Sequence, residues 1–126
     1  MMEIALLIQF GGVFPGKEKA AVEAFTETSK FYGEKLADGT FTYFEPFMFG
    51  TGDIRERLGF FIVKGPEEKI VAFNDSKEAW ALRTKVAQIC AHLDIEYVYT
   101  GDRVLEQVNL LGDLAKELEK IPAPVG

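Results

Sequence analysis

Apolar and polar positions along this chain change period several times, and each change marks an element. From Ile4 to Phe10 the residues are almost continuously apolar and rich in Ile and Leu, which predicts a central strand covered on both faces. A turn through Gly11, Gly12, Pro15 and Gly16 follows. Val22, Phe25, Ser29, Tyr32 and Leu36 then recur at helical spacing as far as the Asp38-Gly39 stop. Between Thr40 and Phe49 the period falls to two, with Phe41, Tyr43, Glu45, Phe47 and Phe49 on one face and Thr42, Phe44 and Met48 on the other. Pro46 has no N–H to give to a ladder, so this strand is expected at a sheet edge or bulged. A loop with Gly50, Gly52 and Asp53 leads into a third strand, Leu58 to Lys64, joined to the second as a hairpin.

Gly65-Pro66 opens a short helical piece reaching Phe73, and Asp75 with Glu78 three residues on reads as a capping box for a second long helix. The apolar stripe of that helix is Ala79, Leu82, Val86 and Cys90. Alternation returns from Leu93 to Tyr99, setting Leu93, Ile95, Tyr97 and Tyr99 opposite Asp94, Glu96 and Val98. Asp102 is placed to cap a last helix carrying Leu105, Val108, Leu111, Ala115 and Leu118, ended by Pro122 and Pro124. The order is β-α-β-β-α-β plus a terminal helix, the split βαβ arrangement of an α+β, ferredoxin-like sandwich. Both main helices of that arrangement cover one sheet face. Both faces of the second strand are largely apolar, so a surplus of aromatic surface remains for self-association, and a homodimer is expected.

Length and composition narrow the picture. A chain of 126 residues, 48% hydrophobic and 27% charged, is one ordinary domain spanning 1–126 that folds unaided. Its net charge of −6 argues against nucleic acid and anionic membranes, which recruit clustered Lys and Arg. Arg55 and Arg57 are the nearest thing to a cluster, and Glu56 splits them. A single cysteine, Cys90, leaves no internal disulfide and no cysteine-rich metal site. The apolar run Ile4 to Ile8 follows Glu3 with no basic residue before it and is too short to span a bilayer, so a cytoplasmic protein is expected.

The chain resembles the dimeric α/β-barrel superfamily, which includes the antibiotic biosynthesis monooxygenase-like proteins. The resemblance covers nearly its whole length. It rests on the first strand, the Pro15-Gly16-Lys17-Glu18 lead into the first helix, the Gly59-Phe60-Phe61-Ile62-Val63 strand and the Asn74-Asp75-Ser76-Lys77-Glu78-Ala79-Trp80 helix start. It implies a dimeric α/β-barrel type of ferredoxin-like fold. The superfamily holds cofactor-free oxygenases that act on polycyclic phenols, haem-degrading oxygenases and regulatory effector domains, and fold alone does not choose among them.

Candidate chemistry comes from isolated residues. Gly11-x-x-x-x-Gly16-Lys17 has the spacing of a phosphate-binding loop, but Glu18 stands where that loop needs a hydroxyl for magnesium, and Pro15 removes a backbone donor. His92, the only histidine, is the candidate catalytic base or, as in the haem-degrading relatives, an axial ligand. The first strand has no match for the asparagine those enzymes use. Cys90 falls on the buried stripe and reads as a small hydrophobe. Asp94 and Glu96 share a strand face with no third ligand, so no metal is expected, and no cofactor motif is present. Eleven Phe, four Tyr and one Trp supply rings for a cavity between helices and sheet, oriented by Thr28, Ser29, Tyr32 or Tyr43. Tyr32, Tyr43, Phe61 and Trp80 are the predicted ligand-binding residues, with His92 beside them. Two readings follow. One is a homodimer binding a small apolar or aromatic molecule, in its enzymatic form a cofactor-free, monooxygenase-like protein; the other is a non-enzymatic ligand-sensing or assembly module.

Overall fold

The structure, a computed structural model, describes residues 2–122; Pro124, expected to follow the last helix, lies outside them. Four strands, β1 (Glu3–Phe10), β2 (Tyr43–Met48), β3 (Gly59–Pro66) and β4 (Asp94–Tyr99), form one sheet in the order β2-β3-β1-β4. Each neighbouring pair is antiparallel. Four helices are interleaved: α1 (Glu18–Ala37), α2 (Glu67–Asn74), α3 (Lys77–Ala87) and α4 (Asp102–Glu119). The result is an α+β domain whose strand order is compatible with a ferredoxin-like fold. None of its described helices is long and apolar enough to cross a membrane.

β1 is central, paired with β3 on one side and β4 on the other, as its apolar run predicts. β2 is at the edge, where Pro46 costs no ladder bond. Pairing of Leu6 with Val63 and Tyr97, and of Ile8 with Phe61 and Ile95, lines these side chains up on one face. That face carries the core: Ile4, Leu6, Ile8, Phe10, Phe61 and Val63 pack against Ala24 and Tyr32 of α1, Ile70 and Phe73 of α2, and Ala79 of α3.

The register of α1 differs from the predicted stripe. Ala24, Thr28 and Tyr32 are buried, whereas Val22 is 68% exposed and Phe25 and Leu36 lie at the rim, partly exposed, with the Phe25 ring 5.6 Å from that of Phe61. Ala24 and Thr28 let the first half of the helix approach the sheet closely, while Tyr32 fills the wider space toward its C-terminal end among four aromatic rings. Phe41 also leaves its predicted alternation: it precedes β2, is fully buried, and sets its ring edge-on to Tyr32 and Phe73. The cap of α3 is Ser76, whose Oγ accepts from the Ala79 N–H at 3.1 Å, one residue after the predicted Asp75. Asp102 is the first residue of α4 and Gly101, at φ 60°, stands at its N-cap.

The opposite sheet face carries Leu7, Phe47, Phe60, Ile62 and Val98 by register, and no described element packs on it. Phe47 stacks on Phe60 with centroids 4.8 Å apart. α4 touches the body at its first turn: Arg103 Nη1 pairs with Glu67 Oε2 at 2.9 Å, and its guanidinium lies over the Tyr99 ring. Beyond that turn its apolar residues are exposed, Leu111 at 66%.

A candidate small-molecule site between the sheet and helix α3

The space between sheet, α1 and α3 is not fully closed by side chains. A cavity of about 30 Å³ remains there, walled by Leu6, Ile8, Phe61, Leu82, Val86 and Ile95 among other carbon side chains. Thr28, Tyr32 and Arg83 are the polar residues of its lining. Its volume admits one or two water-sized groups and is well below the roughly 150 Å³ of a cavity that takes up benzene.

Tyr32 is fixed by its neighbours. Its ring is edge-on to Phe41, Phe44, Phe61 and Phe73, with centroids 5.5–5.8 Å away, the arrangement that aromatic quadrupoles favour. The side chain is only 7% exposed, and among the described residues its hydroxyl has no hydrogen-bond partner. Burial pushes its pKa up to about 12, with the Arg83 guanidinium pulling the other way. It is therefore a neutral O–H donor at physiological pH. Thr28 is already engaged, donating from Oγ1 to the Ala24 carbonyl at 2.7 Å.

Arg83, partly buried, is the charged residue of the lining. Its Nη2 donates to the Asn74 carbonyl at 2.7 Å and to Asn74 Oδ1, and its guanidinium lies 5.1 Å from the centre of the Trp80 ring. Asn74 in turn donates from Nδ2 to the Tyr97 hydroxyl at 2.9 Å. The end of α2, the middle of α3 and strand β4 are thus tied together.

The predicted binding residues divide. Tyr32 and Phe61 line the cavity. Trp80 is 58% exposed and meets it through Arg83. Tyr43 lies on the opposite sheet face, where Lys64 Nζ sits 4.9 Å from its ring centre and its hydroxyl donates to Glu45. His92 is outside the cavity lining. It occupies a left-handed backbone position at φ 55°, and its Nε2 lies 3.5 Å from Glu56 Oε2, both side chains more than half exposed.

The remaining sequence candidates are accounted for by packing. Gly11 and Gly12 donate to the carbonyls of Ala91 (2.6 Å) and Arg55 (3.0 Å), so the amides a phosphate would need are spent. A Cβ on Gly11 would meet those two carbonyl oxygens at 2.7 Å; close backbone approach is what requires glycine there. Cys90 is buried beyond the end of α3, and burial pushes its thiol up, the reverse of what a nucleophile needs. No group of three or more His, Cys, Asp or Glu side chains able to hold a metal occurs among the described residues.

Arg83 and Asn74 were not singled out by sequence reasoning. A signal for Arg83 was present: it stands four residues after Ala79 and three before Val86, on the stripe that faces the core. Comparison with protein-family models, curated proteins and solved structures finds no match to this chain.

Proposed function

We propose that this chain is a homodimeric, ferredoxin-like protein of the dimeric α/β-barrel type that binds a small, largely apolar molecule between its sheet and α3. The observation that carries this reading is the cavity itself, walled by carbon side chains with Tyr32, Thr28 and Arg83 as its polar residues, and with the Tyr32 ring held in place by four others. The small volume means that only a short part of the ligand enters, while its remainder rests at the Arg83–Trp80 mouth.

Binding is favoured over turnover. A cofactor-free oxygenase needs a base to deprotonate its substrate, and the cavity lining contains neither histidine nor carboxylate. The non-enzymatic module is therefore the better-supported form of this reading, with a cytoplasmic location and no cofactor. Self-association is supported by two exposed apolar surfaces on one chain, the uncovered sheet face and the stripe of α4.

Native mass spectrometry of gently purified protein tests both parts. The expected spectrum is a dimer with added small-molecule mass that disappears in Tyr32→Phe. A bare monomer overturns the proposal.

A further inference from the structure

Helix α4 is an arm that its own chain does not cover. It runs for 18 residues, about 27 Å at the rise of an α-helix, and none of them is buried. Its first turn is anchored, with Arg103 paired to Glu67 of α2 and lying over Tyr99. Beyond that turn Val108, Leu111 and Leu118 are 55–66% exposed. The apolar residues Val104, Val108, Leu111, Ala115 and Leu118 follow one another in steps of four, three, four and three, which is the heptad seam by which one helix packs along another. Leu105 and Leu114 flank that seam on either side, and no charged residue stands on it. A lipid surface is a poor match, because Asp and Glu outnumber Lys and Arg five to two along α4 and anionic headgroups repel such a helix.

We infer that α4 of one chain packs along α4 of a second copy, seam to seam. A two-fold axis brings the same surface of both chains together, and a seam of this spacing is complementary to itself. The area agrees: the stripe supplies on the order of half of the ~800 Å² that each partner of a standard interface buries, and the open sheet face carrying Phe47, Phe60 and Ile62 supplies the remainder. The inference rests on the homodimer proposed above and assigns its second contact to α4.

The test is isotope-filtered methyl NMR of mixed dimers of the full chain, one copy carrying labelled Leu, Val and Ile methyl groups and the other unlabelled. Inter-chain contacts from Leu111 to the Val108 or Leu118 methyls of the second copy are expected. In sedimentation equilibrium Ala115→Glu, on the seam, is expected to weaken the dimer at least tenfold, and Lys116→Glu, one residue off it, to change it less than twofold. A dimer whose inter-chain contacts are confined to Leu7, Ile62 and Val98, or in which Leu111 meets those sheet residues of the second copy, overturns the pairing of α4 while leaving the homodimer standing. Equal effects of the two glutamate variants overturn it likewise. A chain that sediments as a monomer removes both the pairing and the homodimer, and leaves α4 to a different protein.

Discussion

Tyr32 concentrates the energetics of the candidate site in one hydroxyl. Its pKa of about 12 in the folded chain stands above the roughly 10 of an unfolded tyrosine. Stability from this group is therefore complete below pH 10 and is lost as pH rises from about 10 to 12, because the unfolded chain releases the proton first. The expected loss is about 3 kcal/mol across that window. Urea unfolding at a series of alkaline pH values should show the decline in the unmodified chain and a shallower one in Tyr32→Phe; parallel curves would contradict the assignment. Tyr32 was legible in the sequence because it sits on a helical apolar stripe. His92 and Tyr43 were selected for their chemistry, and their positions depended on backbone turns that residue type does not reveal.

Among the elements, contacts at single glycines decide how closely strands and helices can meet. A Cβ on Gly65 would lie 2.6 Å from the Thr40 carbonyl oxygen and 3.1 Å from Ile70 Cδ1, one partner being backbone that cannot swing aside. Gly65→Ala is expected to cost about 2 kcal/mol or more, read as a lower urea midpoint. Gly112 in α4 has nothing within 4 Å of such a Cβ, so Gly112→Ala is expected to add helicity, worth about 1 kcal/mol. A midpoint that does not fall in Gly65→Ala, or one that falls in Gly112→Ala, would refute this packing. Strand and helix periods were readable along the chain, whereas the buried face of α1 was not. Val22 and Phe25 obey the helical period as well as Ala24 and Thr28 do, Tyr32 is common to both stripes, and only the approach of the sheet selects between them.

At the scale of the whole molecule, two apolar surfaces lie exposed on one chain. α4 holds Val104, Val108, Leu111 and Leu118 out to solvent and touches the body through Arg103, while Phe47, Phe60 and Ile62 lie on a sheet face without a cover. A second copy is the proposed cover. Leu111→Glu with Leu118→Glu should leave unfolding of the body within about 0.5 kcal/mol, since neither side chain packs on it, yet shift the dimer toward monomer at least tenfold in sedimentation equilibrium. A double variant that dimerises like the parent would exclude α4 from the interface.

The sequence by itself determined the strands and helices, their order and the edge position of β2, because period, turn residues and proline chemistry are local properties. It also excluded a phosphate loop at Gly11–Lys17 through Glu18 and Pro15. Only the tertiary structure decided which of several apolar faces is inside, and that Tyr32 of α1 and Arg83 of α3 line one cavity. Those facts are relations between residues distant along the chain, created when β1, α1 and α3 pack together, and no local pattern carries them.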